Sequence, residues 1–194
     1  DPVLNGDPKK WLKVTVAFEM KVLMNLSKKT NDTDLRIKER FAQLANGGNL
    51  MTSNSDNLQL VYSNTSGQLY PLYQNDHMQY LMISSTIIDP LKRFNDYRLF
   101  YYAAPTDYAL DNGIPASEWD AYLGIDPSAL QSDNNVLHGE GKDCGPNERH
   151  LQPEGEPFIR IGYMEQNFIL AAAALRGWID SGNASEYYKK GIRA

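Results

Sequence analysis

Residues 160–194 read RIGYMEQNFILAAAALRGWIDSGNASEYYKKGIRA, and this closing stretch decides the fold. Ile161, Met164, Phe168, Ala172, Leu175 and Ile179 recur at steps of three and four, the spacing of one helix face. Leu170, Ala171, Ala173 and Ala174 fill much of the other side, so the segment is apolar nearly all round. Such a helix belongs inside a bundle, where its small residues let neighbours approach closely. The spacing predicts one helix over 159–180 and a second over 184–193, joined by the tight turn Ser181-Gly182-Asn183. Asn183 and Glu186 nearly match a capping box, and Ala184, Tyr187, Tyr188 and Ile192 give the second helix an apolar face. Residues 159–194 are therefore expected to be a packed core hairpin. Trp178 is expected as a core anchor and Glu165 as a buried, ion-paired structural carboxylate. No stop signal precedes Ala194, so the chain is expected to be a piece of a longer one.

A second hairpin is signposted at the other end, over 7–46. Asp7 suits an N-cap, Pro8 the first helical position, and Trp11, Val14, Phe18, Val22 and Leu26 follow at helical spacing. Trp11 reads as a core anchor. Ile37, Phe41 and Leu44 mark a second helix over 35–45, stopped by Gly47-Gly48. Residues 49–105 read as mixed: loops over 49–82 with one short strand near 58–62, then a helix over 84–94 with Ile87, Ile88 and Leu91 inward. Asn95-Asp96 breaks it, and an aromatic-rich stretch follows from Tyr97. Residues 106–157 are polar and rich in Gly, Pro, Asp and Asn, and are expected as a long loop region with one short helix over 117–123. Loops of that length are usually functional or disordered.

Composition narrows the function by exclusion. A net charge of −5 leaves no electrostatic footprint for nucleic acid, and no Lys/Arg cluster stands among aromatics. Cys144 is the single cysteine, so no disulfide forms within the chain. The longest uncharged apolar run, 166–175, is about half of what a membrane-spanning helix needs. No signal-peptide pattern opens the chain, which reads as starting within a domain.

The residues at three places resemble one family. Tyr163, Glu165, Phe168, Ala171, Ala173, Arg176, Gly177, Trp178, Tyr187, Tyr188, Gly191, Ile192, Arg193 and Ala194 closely resemble the C-terminal signature of SusD/RagB proteins. DPVLNGDPKKW at 1–11 and NDYRLFYYAAP at 95–105 resemble two further segments of that family, in the same order. There are departures: VTVAFEMK follows Trp11 in place of the usual run, and Ala172 stands where the family has Glu. Arg176 then needs another partner, with Asp180 and Glu165 both in reach of the sequence. The resemblance implies a mainly α fold of tetratricopeptide-like hairpins with long irregular loops, all 194 residues being part of one SusD-like domain. It also implies a lipid-anchored protein at the extracellular face of the outer membrane, whose anchor lies outside this chain. There it would bind oligosaccharide or a similar nutrient and deliver it to a SusC-like TonB-dependent transporter, without catalysis and without cofactor.

The residues themselves offer three kinds of chemistry. Tyr97, Tyr101, Tyr102, Tyr108, Trp119 and Tyr122 crowd a loop-rich region, where flat rings stack on sugar C–H faces while Asp107, Asn112 and Asp120 take hydroxyls. Against this, Tyr101 and Tyr102 read better as the edge of a core strand or helix, and Trp119 and Tyr122 stand open between ligand contact and local packing. His138, Asp143, Cys144 and His150 are the right types for zinc, but their spacing matches no paired-ligand motif, and a flexible polar loop is the expected reading. For catalysis there is no nucleophile elbow, HExxH, phosphate-cradling loop or CxxC. A helical-repeat scaffold without a small ligand is the alternative, though no repeat of about 34 residues is visible. A carbohydrate-active enzyme stands third.

Overall fold

The computed structural model describes residue 1 and residues 3–73 and 81–194. Part of the loop reading over 49–82, at 74–80, therefore lies outside the described residues. Along the chain run α1 (Pro8–Asn25), α2 (Ile37–Asn46), β1 (Leu58–Leu60), α3 (Ser85–Arg93), α4 (Leu99–Tyr102) and α5 (Asp107–Asp111). α6 (Gln131–Gly139), β2 (Phe158–Ile161), α7 (Tyr163–Leu175) and α8 (Ala184–Arg193) follow, so the chain is mainly helical as expected. Two compact units emerge: Asp1–Val61 with Pro157–Ala194, and Tyr62–Glu156.

In the first unit α1 starts as its sequence dictates. Asp7 Oδ1 accepts the Lys9 and Lys10 N–H groups at 2.8 and 3.3 Å, with Pro8 at the first helical position. The face it buries is not the expected one. Val14, Val16, Ala17, Met20 and Leu23 are buried, while Trp11, Phe18 and Val22 are exposed. Nearly every residue from Trp11 to Leu23 that is not charged is apolar, so two rows at helical spacing compete. The row that wins is the one facing other elements. Val16, Met20 and Leu23 pack with Ile37 and Phe41 of α2, Leu170 and Ala173 of α7, and Trp178. Val14 and Ala17 pack with Leu4 and Met51. Trp178 is the anchor expected, its ring edge-on to Phe41 at 5.5 Å; Trp11 instead donates its indole N–H to Asp1 Oδ2 at 2.7 Å.

α7 begins at Tyr163 and not at residue 159, because Phe158–Ile161 pairs antiparallel with β1. Gly162 has no side chain with which to cap the helix. Asn57, 106 residues earlier, supplies the acceptor: its Oδ1 takes the Tyr163 N–H at 2.7 Å. The helix ends at Leu175 and not at 180, because Gly177 sits at φ 68°. Gly177 N–H donates to Ala174 O at 3.0 Å and Trp178 N–H to Ala173 O at 2.9 Å, the paired bonds of a Schellman stop. Arg176-Gly177-Trp178 is thus a helix end read residue by residue: last turn, left-handed stop, apolar plug.

The row Ile161, Met164, Phe168, Ala172, Leu175 is likewise not the buried one. Gln166, Asn167, Leu170, Ala171, Ala173 and Ala174 are buried, and Met164 and Leu175 are exposed. Gln166 decides this. Its Oε1 accepts Met51 N–H at 2.8 Å and its Nε2 donates to Met51 O at 3.1 Å, so a buried amide has both ends satisfied. Glu165 is ion-paired, to Lys21 at 2.8 Å, but is not buried. Arg176 is exposed and has no ion-pair partner among the described residues; Asp180 instead accepts Gly182 N–H at 3.0 Å. The expected capping box is also absent, since Asn183 donates to Asp180 and Glu186 pairs with Lys189.

The second unit replaces the expected long loop with short elements. α5, α6 and two 3-10 turns, Trp119–Ala121 and Glu148–Leu151, lie within 106–157, and the expected helix over 117–123 shrinks to the first of those turns. The polar composition was misleading because backbone bonds between distant segments do the holding. Ile83 N–H donates to Cys144 O at 2.9 Å, Cys144 N–H to Leu123 O at 2.8 Å, and Ser85 N–H to Ile125 O at 2.8 Å. A side chain at Gly124 would run into the Ser85 backbone, so only glycine permits this approach. Ile88, Leu99, Ala103, Ala109, Ala121, Tyr122 and Cys144 form the core over it, with Leu91 partly buried; Ile87, expected inward, is exposed.

Two measurements follow from the first unit. Gly177→Ala meets no heavy atom within 4 Å, so its loss is backbone strain alone; urea denaturation is expected to show roughly 1–2 kcal/mol of destabilisation. Asp56 accepts Lys13 Nζ at 2.8 Å and Thr52 N–H and Oγ1–H at 2.8 and 2.9 Å. Burial raises its carboxyl, but Lys13 and Thr52 together outweigh burial and hold it at about 2 against 3.8. The folded value lies below the unfolded one, so this stabilisation is complete above about pH 4 and vanishes as pH falls through about 2. Asp56→Ala is expected to remove roughly 2–3 kcal/mol at neutral pH and markedly less as pH falls through about 2, by urea titration at each pH.

Candidate functional site

The aromatic residues gather where α3 passes into α4. Asn95 at φ 50° ends α3, and Asp96 folds the chain back, its N–H donating to Leu91 O at 2.8 Å. Asp96 Oδ1 also accepts Arg98 N–H and Nε–H at 3.0 Å each, and the Arg98 guanidinium lowers the Asp96 carboxyl below its ordinary value. This clamp presents Tyr97 and, three residues on, Phe100, with ring centroids 5.8 Å apart. Trp119, held in its 3-10 turn, lies 5.6 Å from Tyr97 at 68° and 4.8 Å from Phe100 at 56°. Tyr122 lies 5.3 Å from Phe100 at 82°.

The four rings run from core to solvent. Tyr122 is 3% exposed and donates its hydroxyl to Ala116 O at 2.9 Å; burial pushes its phenol up. Of the two readings left open, Tyr122 therefore takes local packing. Phe100 and Trp119 are half-buried, and Tyr97 is 77% exposed. The result is a face of tilted rings whose outer members, Tyr97 and Trp119, leave apolar surface accessible to solvent. Asp120, exposed beside Trp119, makes no hydrogen bond among the described residues. It stands as an acceptor at the rim.

The remaining residues lie elsewhere in the unit. The Tyr108 ring sits 5.2 Å from Lys142 Nζ. Asp107 lines a recess of about 230 Å³ with His138 and Asp143, and no ring of the aromatic face lines it. Asn112 donates to Tyr108 O at 2.7 Å. Tyr101 and Tyr102, expected at a core edge, are exposed at the end of α4, edge to face at 5.4 Å, with the Arg149 guanidinium 4.1 Å over Tyr101. Burial, followed by the Glu156 carboxylate, raises the Tyr101 phenol.

The zinc-type quartet does not converge. His138 Nδ1 lies 3.1 Å from Asp143 Oδ1, while His150 Nε2 lies 3.2 Å from Tyr101 O. Cys144 Sγ accepts Leu123 N–H at 3.2 Å, and burial pushes the thiol up to about 11. Among the described residues no three His, Cys, Asp or Glu side chains form a metal-holding group. The flexible polar loop expected here is instead a packed segment, since Asp143 and Cys144 are buried. Sequence reasoning passed over Phe100, the ring at the centre of the face. Its signal was the Tyr97–Phe100 spacing of three, which puts both on one side of a helical turn.

Solved relatives share this arrangement of elements. A SusD homolog from Bacteroides fragilis NCTC 9343 is 49% identical with a TM-score of 0.86, over 100% of this chain and 41% of its own. A candidate outer membrane protein from Bacteroides vulgatus ATCC 8482, described as involved in nutrient binding, is 34% identical with a TM-score of 0.84, over 100% and 43%. A second B. fragilis NCTC 9343 SusD homolog gives 36% and 0.83, over 100% and 42%. The chain thus spans about two fifths of the length of these relatives. No curated protein matches it. The family described as "Starch-binding associating with outer membrane" matches residues 1–194 in full, and the chain belongs to this SusD-like family.

Proposed function

We propose that these residues form part of a single SusD-like domain that binds an oligosaccharide or similar nutrient at the cell surface without catalysing its breakdown. The observation that carries this reading is the family match over all 194 residues, a family described by starch binding and by outer-membrane association. In the proposed protein a lipid anchor holds the domain at the extracellular face of the outer membrane. A SusC-like TonB-dependent transporter receives the ligand.

Tyr97 and Trp119 are the proposed stacking residues, with Asp120 accepting sugar hydroxyls at the rim. Tyr122 and Phe100 support the face from below, consistent with their burial. A face of this kind suits binding and release, since aromatic contacts contribute modestly each. Tyr108 and Asp107 are proposed as contacts only for a ligand long enough to reach the neighbouring recess.

The test is calorimetric titration of the whole protein with maltooligosaccharides of increasing length, alongside chromatography of the sugar afterwards. Trp119→Ala and Tyr97→Ala are each expected to weaken binding by roughly 3–10-fold, with Tyr122→Phe unchanged. Unaltered affinity in both alanine variants removes the site assignment while leaving the family untouched. Shortened sugars after incubation, or failure to co-purify with any TonB-dependent channel, would overturn the wider proposal.

A further inference from the structure

The aromatic face stands in the acidic part of the chain. Residues 62–156 hold five Lys or Arg side chains against fourteen Asp or Glu, a net of −9. The remaining residues hold fourteen against ten, a net of +4, so the modest −5 of the whole chain conceals two opposite balances. An imbalance of this size says nothing about the fold, but it decides which solutes a binding surface draws or repels.

The five cations of that stretch are each engaged within it. Arg98 is clamped to Asp96, Lys142 pairs with Glu140 at 2.8 Å and Arg149 with Glu156 at 3.0 Å. Lys92, half-buried, donates to Tyr122 O at 2.9 Å, and the Arg93 guanidinium lies 5.5 Å from the centre of the Phe94 ring. No ion pair to Glu118 or Asp120 forms among the described residues. Those two residues stand on either side of Trp119, both exposed. Glu118 is the cap of the 3-10 turn, yet its side chain accepts none of the turn's N–H groups. Trp119 thus has an uncompensated carboxylate at each neighbouring position, well inside the screening length of about 10 Å at 0.1 M salt.

The rings make the site, and the carboxylates rank what it takes. An aromatic face attracts a cation held over it, and carboxylates beside the ring add to that attraction. The same carboxylates repel an anionic group and leave an uncharged sugar unaffected. We propose that the aromatic face discriminates among saccharides by charge, with Glu118 and Asp120 setting the order. Oligosaccharides bearing free amino groups bind ahead of uncharged ones, and those bearing carboxylates or sulfates are turned away. This order holds only where Tyr97 and Trp119 form the glycan site, the reading on which it rests.

Calorimetric titration of the whole protein with oligomers of glucosamine, N-acetylglucosamine and galacturonate, matched in length, tests it. The buffer is mildly acidic, so that the amines are protonated while the two carboxylates stay ionised. At low salt the glucosamine series is expected to bind about 3–10-fold tighter than the acetylated series, and the galacturonate series to bind weakest. The margin between amine and acetylated forms is expected to shrink to within about twofold at high salt, and likewise in Glu118→Gln with Asp120→Asn. Equal affinity for all three series overturns the charge order, while Trp119→Ala still decides the site. A margin that persists in the double variant overturns the roles given to Glu118 and Asp120. A margin equally large in Trp119→Ala means adsorption to acidic surface at large and overturns the proposal too. Absence of binding in every series removes the glycan site and this order with it.

Discussion

The two hydrogen bonds between the Gln166 side chain and the Met51 backbone govern the first unit. Met51 opens the segment that carries Asp56 and Asn57, and both of these are buried and fully used. Asn57 caps α7 across the chain, Asp56 ties in Lys13 of α1, and β1 follows directly to pair with β2. Each contact joins a residue before position 62 to one after 157 or to α1. A buried amide with one end unpaired costs about 1–3 kcal/mol, so the register of α7 against Met51 is fixed to the residue. The apolar packing of Leu170, Ala173 and Trp178 fills in around that register and does not by itself select it.

The second unit achieves rigidity differently. Its helices are short and its core sets Ile88 and Leu99 among smaller or partly polar side chains, Ala103, Ala109, Ala121, Cys144 and Tyr122. Backbone bonds between segments near residues 83, 123 and 144 take the place of a sheet. Trp119 and Phe100 rest on this base through Tyr122, which is why their ring positions are defined despite lying in connecting segments. Binding faces on loops depend on such scaffolding, since an aromatic ring that must be ordered by its ligand loses part of the contact energy to entropy.

Much of the fold was legible in the sequence because helix ends carry strong local signals. Asp7-Pro8 and Asn95 mark boundaries that the sequence predicts, whereas the stop at Arg176-Gly177-Trp178 falls inside the helix expected over 159–180. Which face turns inward was much less legible. α1 and α7 are apolar on more than one side, so periodicity carries no phase, and the side chains that set the phase of α7 are the polar Gln166 and Asn167. Hydropathy assigns both to solvent; a backbone partner more than a hundred residues away reverses that for Gln166, and the Tyr163 carbonyl one turn back satisfies Asn167. The packing of residues 106–157 was hidden for the same reason, because its stabilising groups are main-chain atoms that every sequence possesses. At the aromatic face, the crowding of Tyr97, Trp119 and Tyr122 was visible, but their division into exposed and core rings was not.

The first unit is split in sequence, leaving at Val61 and resuming at Pro157, with the whole second unit between. The contacts that close the first unit are therefore far apart in sequence, and such contacts cost loop-closure entropy. The helix α1 packs on α2, its neighbour in sequence, but also on α7 and β2, which lie more than a hundred residues further along the chain. The second unit is continuous in sequence, so its contacts join residues within 62–156. Once compact, it brings residues 61 and 157 closer than a free chain of that length would hold them, which lowers the loop-closure entropy of the final pairing. The inserted unit that carries the aromatic face is thus also the loop whose closure the pairing of β1 with β2 requires.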